Sequence, residues 1–174
     1  MREHLIELLV SLSGIISPAG ATFFGAMVPL VEARYVIPLA LEVWKLPLWE
    51  AFPIAVAGNL VPIPFVLWLL DPATEVLCRF KLGDRFVQWL FARTRARTSE
   101  KIEKYELWGL TIFVAIPLPV TGAWTGSVAA VIFGLKKVPS FIAIAVGTCI
   151  AASFASGVTV LIGGLVRWII SLFS

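Results

Sequence analysis

The chain has 174 residues, 59% of them hydrophobic and only 14% charged, and its mean hydropathy is +0.94. That is too apolar for a soluble domain of this size and marks an integral membrane protein. The net charge of +3 is modest and its basic residues cluster in one segment, which points to membrane orientation rather than to nucleic acid. Cys78 and Cys149 show neither metal nor redox spacing, so they read as packing residues, and no metal or other cofactor is expected.

In chain order, a charged start (Arg2, Glu3, His4, Glu7) precedes an uncharged run that continues past Gly25, enough for one spanning helix bent at Pro18. Ala19-Gly20-Ala21 imitates a signal-peptide cleavage site, but the hydrophobicity does not stop there, which favours a retained span. From Val28 to Leu41, Glu32 and Arg34 lie between Pro29 and Pro38. Ionisable groups at membrane depth are costly and usually functional. Each proline removes a backbone donor and clashes with the preceding turn, so a broken, re-entrant element is expected here, sheltered by the other helices.

Glu42, Lys45, Pro47 and Glu50 mark a return to the surface, and a second span is expected over residues 49–70. Within it Asn59 follows Gly58, and Pro62 and Pro64 loosen the backbone. Asn59 is either a ligand for a polar substrate or ion, or a partner for backbone groups freed by the neighbouring hairpin. Residues 71–106 hold Arg79, Lys81, Arg85, Arg93, Arg95, Arg97, Lys101 and Lys104, and so are assigned to the cytoplasm. Their apolar residues from Val76 to Phe91 recur at helical spacing, as in an amphipathic helix lying in the interface. Ser99-Glu-Lys-Ile reads as the capped start of a further helix.

No charge occurs from Leu107 to Leu135, yet Ile116-Pro-Leu-Pro-Val-Thr-Gly-Ala-Trp-Thr-Gly126 gathers Pro117, Pro119, Gly122 and Gly126 at the centre. These residues should open the helix into a second re-entrant hairpin, with a kinked full span as the alternative. Gly122 and Gly126 also have the spacing of close helix packing. After Lys136 and Lys137, residues 138–166 form the last span, ended by Gly163-Gly164. Gly147, Ala151 and Ala155 lie along one face and suit a neighbouring helix or a second protomer, so a homodimer is a candidate.

The expected fold is therefore all-α: about three spanning helices and two re-entrant helical hairpins in an inverted repeat, with a cytoplasmic amphipathic helix between them. It is a single transmembrane domain of two repeats, 1–70 and 107–174, joined by 71–106. Ile54-Ala-Val-Ala-Gly58 is echoed by Ala143-Ile-Ala-Val-Gly147. Such a repeat presents broken-helix ends to a central substrate. The protein is placed in the plasma membrane, with its N-terminus and residues 71–106 cytoplasmic and its C-terminus outside.

The set Pro29-x-x-Glu32-x-Arg34-x-x-Ile37-Pro38, Gly58-Asn59-x-x-Pro62-x-Pro64 and Ile116-Pro-x-Pro-x-Thr-Gly-Ala-Trp-Thr-Gly126 resembles the small multi-drug export proteins, over most of residues 28–147. That family is similar in turn to the DedA, or VTT-domain, membrane proteins. The latter resemblance implies re-entrant hairpins and the movement of lipids, including polyprenyl phosphates. DedA-type proteins typically carry arginines near the second hairpin, whereas here Arg34 lies in the first and the second is uncharged.

No nucleophile–base or metal constellation is visible, so an enzyme is not expected. The first functional reading is a proton-coupled transporter or flippase of an anionic lipid such as a polyprenyl phosphate. Arg34 and the hairpin tips would hold the anion while Glu32 gains and loses a proton. Asn59, Thr121, Trp124 and Thr125 are the further candidate ligands. The second reading is proton-coupled efflux of lipophilic cations, with Glu32 as the shared site and Tyr35 and Trp124 as aromatic walls. The third is a non-transporting scaffold braced by a Glu32–Arg34 ion pair. The topology has a direct test in a chain whose two cysteines are replaced. A thiol introduced by Ser99→Cys should react with an impermeant maleimide only after permeabilisation, and one introduced by Ser174→Cys should react in intact cells. The reverse pattern inverts the assignment.

Overall fold

The computed structural model describes residues 16–29, 31–77, 100–116 and 121–172. All seven described elements are α-helices: α1 (Pro18–Met27), α2 (Glu32–Glu42), α3 (Leu48–Leu60), α4 (Pro62–Leu77), α5 (Glu100–Ala115), α6 (Ala123–Ile132) and α7 (Lys137–Leu172). They fall into two compact units. One comprises the chain to Leu60 and the segment from Cys149 onward, and the other is Val61–Thr148. The expected first span before residue 16 and the amphipathic stretch beyond Leu77 lie outside the described residues.

In the first unit, Ser17 is non-helical, and its hydroxyl accepts from the Gly20 amide at 3.2 Å. With Pro18 in the first helical position, where its missing N–H costs nothing, this is a helix start. Among the described residues Pro18 thus starts a helix rather than bending one, and α1 is followed after Met27 by a turn into α2. Ala26, Val31, Ala33, Val36, Ile37, Ala55 and Ala152 form the buried cluster. Small residues dominate it, so the helices approach closely. A Cβ on Gly58 would collide with the carbonyl oxygen of Phe23.

Pro29 lies in the turn, as expected of a breaking residue, but Pro38 does not break anything. It sits inside α2, which runs on to Glu42. One lost N–H is tolerated where the flanking Val36, Ile37 and Ala40 are fully buried, because their packing outweighs the local cost. The helix stops later, where the Leu46 amide reaches back to the Ala40 carbonyl at 2.9 Å and Lys45 takes a left-handed φ of 54°.

Among the described residues two apolar helical runs are long enough to cross a membrane, Leu48–Leu69 (22 residues) and Lys137–Val166 (30 residues). The first joins α3 to the start of α4 across a one-residue turn at Val61, where Pro62 can supply no N–H. The second continues through Gly163-Gly164 to Leu172, so the glycine pair does not end it. A glycine costs a helix only about 1 kcal/mol relative to alanine, less than freeing backbone groups in apolar surroundings.

In the second unit, α5 starts at Glu100, as the capping pattern predicts, and ends at Ala115, where the Pro-Gly segment begins. Among the described residues α6 packs against α5. The contacts that require this are those of Gly126: a Cβ there would lie 2.6 Å from Val114 Cγ2 and 3.7 Å from Leu110 Cδ1, both on α5. Gly147 of α7 meets the same region, its Cβ position being 2.7 Å from the Thr111 carbonyl oxygen and 2.8 Å from Val114 Cβ. The small face of α7 is thus used inside the chain at Gly147, and Ala151 is buried too.

Two stretches of the chain, α1–α3 and α5–α7, share one order of elements: helix, break, helix, tight connection, helix. Gly58 and Gly147 are 89 residues apart, and each lies against a backbone carbonyl of the first short helix. Lys45 and Gly134, also 89 apart, are the left-handed residues of the two connections. Gly58→Ala, Gly126→Ala and Gly147→Ala should each destabilise the detergent-purified protein by about 1–3 kcal/mol. Gly109→Ala and Gly157→Ala, where a Cβ meets nothing within 4 Å, should not. Thermal unfolding of the five variants checks this.

Candidate functional site

The Glu32–Arg34 pair stands where α2 begins. Arg34 Nη2 donates to Glu32 Oε2 at 3.0 Å, and the two side chains are only 7% and 8% exposed. Residues two apart point to different sides of a regular helix and cannot pair. Glu32 solves this with a φ of 51°, a left-handed conformation that is uncommon for a residue with a side chain. The amides of Val31 and Glu32 both reach back to the Val28 carbonyl, at 3.1 and 3.0 Å, and this tight turn imposes the twist. The carboxylate then lies in the first turn of α2, where the helix dipole favours negative charge.

Val31, Ala33, Val36 and Ile37 flank the pair along the chain and are buried. Asn59 is 2% exposed, and its Oδ1 makes no hydrogen bond among the described residues. The short connection at 43–47 makes α2 and α3 antiparallel neighbours. Asn59, one turn beyond Ala55, is therefore level with the Glu32 end of α2. The structure brings Glu32, Arg34 and Asn59 into one unit, at one end of one hairpin. Tyr35 is exposed on the outside of α2.

Thr121, Trp124 and Thr125 belong to the break of the other unit. Thr121 Oγ1 donates to the Ile116 carbonyl at 2.6 Å and closes the Pro-Gly segment. Thr125 Oγ1 accepts from the Gly122 amide at 3.0 Å and so caps α6 from within. Gly122 and Gly126 serve the start of α6 and its packing on α5, while Pro117 and Pro119 lie outside the described residues. The Trp124 indole N–H is buried and makes no hydrogen bond among the described residues. The same holds for Thr148 Oγ1 and Ser140 Oγ of α7, which the sequence reading missed. The echo in the sequence was their signal: Thr148 follows Gly147 as Asn59 follows Gly58. No group of three or more His, Cys, Asp or Glu is placed to hold a metal among the described residues.

A helical membrane protein emerges, with two broken helix pairs, each set against a longer helix, and a buried acid–base pair at one break. A family model described as "Putative small multi-drug export protein" matches residues 32–154, most of the chain, and the chain belongs to that family. The description is of an export protein, a transporter rather than an enzyme. No curated protein and no solved structure matches the chain.

Stranding one member of a buried ion pair costs far more than removing both. Arg34→Met should therefore destabilise the protein by about 3–5 kcal/mol, and the double variant Glu32→Gln/Arg34→Met should recover most of that loss. Chemical denaturation in detergent measures both; equal losses in the two proteins would mean that the charges are not paired energetically.

Proposed function

We propose that the protein is a proton-coupled membrane transporter, in which the substrate competes for the Glu32–Arg34 pair and opens it. The observation that supports this most is the placing of that pair at a helix break, buried and held by a strained residue. Strained backbone concentrates at functional positions, whereas a brace could be built on unstrained backbone. An anionic amphiphile such as a polyprenyl phosphate takes Arg34 from the carboxylate. Glu32, released, then accepts a proton and returns it on the other side.

The hairpins are re-entrant in this reading. Arms of 10 and 11 residues in the first reach roughly 15 Å, about half of the hydrocarbon thickness. In the second unit, the Lys137 ammonium lies 5.8 Å from the Trp68 ring centroid. The end of one spanning run thus meets the start of the other, which supports the α5–α6 hairpin entering and leaving by the same face.

A second reading follows from the family description: export of lipophilic cations, with Glu32 as the shared site and its guanidinium partner displaced by the drug. Liposomes carrying the protein separate the two. Labelled polyprenyl phosphate and a lipophilic cation are followed with and without a pH gradient, in the native protein and in Glu32→Gln and Arg34→Ala. The proposal expects lipid movement that Arg34→Ala abolishes, and loss of the gradient's effect in Glu32→Gln. Cation movement that survives Arg34→Ala and is lost in Glu32→Gln supports the second reading. Unchanged behaviour of both substrates in both variants overturns transport through this pair.

A further inference from the structure

The repeat places unlike chemistry at equivalent positions. At the start of α2 the chain supplies its own anion, the Glu32 carboxylate. Eighty-nine residues on, the equivalent position is Thr121, and the first turn of α6 carries no acidic residue. That helix start is nonetheless prepared for negative charge. The first-turn N–H groups of a helix have no acceptor one turn back, and Gly122 has no side chain with which to cap them.

The side chain that faces this end is Thr148. A Cβ on Gly126 would lie 3.6 Å from Ile144 Cγ1, which fixes the antiparallel register of α6 and α7. One turn further along α7 and one turn back along α6, Thr148 comes level with Gly122 on the same stripe as Ile144. It is 3% exposed, and its hydroxyl makes no hydrogen bond among the described residues. This departs from the chain's habit: Thr22, Thr111, Ser127, Ser153, Ser156 and Thr159 all donate to the carbonyl four residues back. In the first turn of α6 the buried Trp124 indole N–H likewise makes no hydrogen bond among the described residues. Two buried donors thus lie unsatisfied on the elements that meet at the start of α6, the Ncap there brings no side chain to the first-turn N–H groups, and the first turn holds no carboxylate.

We propose that the N-terminus of α6, with the Thr148 hydroxyl and the Trp124 indole N–H, is a binding subsite for an anionic oxygen group, a phosphate monoester above all. The internal carboxylate of the first unit marks what the second unit takes from outside. The proposal deepens the transport reading by locating the substrate's charged head. Its test is a binding measurement, so either can fail without the other.

The probes are dodecyl phosphate, inorganic phosphate and dodecanol, titrated calorimetrically into the protein in an uncharged maltoside. Dodecyl phosphate should bind and dodecanol should not; binding of inorganic phosphate alone would assign the site to the free anion, and binding of both phosphates to the headgroup chemistry they share. Thr148→Val, which keeps the shape and removes the hydroxyl, should weaken binding roughly tenfold or more. It should not lower thermal stability, since a buried unsatisfied group is lost. Ser140→Ala, which removes the other unpartnered hydroxyl at the far end of the same hairpin, should bind as the native protein does. Thr121→Glu, which introduces the carboxylate of the first unit, should abolish binding, while Thr121→Val, which loses the hydroxyl and its bond to Ile116 without adding charge, should retain it. Failure of the native protein to bind either phosphate overturns the proposal, as does native-like binding in both Thr148→Val and Thr121→Glu.

Discussion

A chain that interrupts its helices in apolar surroundings must find partners for the N–H and C=O groups it frees. The described irregular segments answer that requirement in several ways. At the first break two successive amides share the Val28 carbonyl. At the second, the Thr121 hydroxyl holds the Ile116 carbonyl, and the Gly122 amide turns to the Thr125 hydroxyl. At the two helix connections Leu46 and Leu135 reach back to Ala40 and Ala130. Where a buried polar atom finds no partner among the described residues, at Trp44, Asn59, Trp124, Ser140 and Thr148, the exceptions are carried by side chains. Three of the five lie level with a break.

The consequence for function lies in how the same plan is used twice with different charge. In the first unit the break twists Glu32 until its carboxylate meets Arg34, so the start of α2 carries a closed acid–base pair. In the second the corresponding helix start is neutral, and the polar groups around it are donors. A molecule built this way combines an internal salt bridge that can exchange partners with a place that lacks one. Both properties suit a carrier better than a brace, because a brace gains nothing from unsatisfied donors.

Much of this was legible in the residues. Composition alone placed the chain in a membrane, the runs at 49–70 and 138–166 coincide with the long apolar helices, and the Pro-Gly density of 116–126 located the second break. Pro38 and Gly163-Gly164 misled, for one reason: helix-breaking residues act through local cost, and local cost is outweighed where the flanks are buried or the alternative is exposed backbone. Pro18 misled differently, since a proline read as a bend is also the commonest first residue of a helix, and only Ser17 before it tells the two apart. Of the site, Glu32 and Arg34 stood out because charge is rare in such a chain. Thr148 did not, because an isolated threonine in an apolar helix ordinarily bonds its own backbone, and only coordinates show that this one does not.

Val114 illustrates how tightly the second unit is determined. One isopropyl group fills the space that a methyl on Gly126 would need and also the space that one on Gly147 would need. A single side chain thereby acts as the spacer for two helix crossings at once. Enlarging Gly126 is an injury that trimming the valine could relieve, whereas a Cβ on Gly147 would still meet the Thr111 carbonyl oxygen. Variation at 114 and 126 in related chains should accordingly be correlated, with their total volume preserved, while 147 stays small.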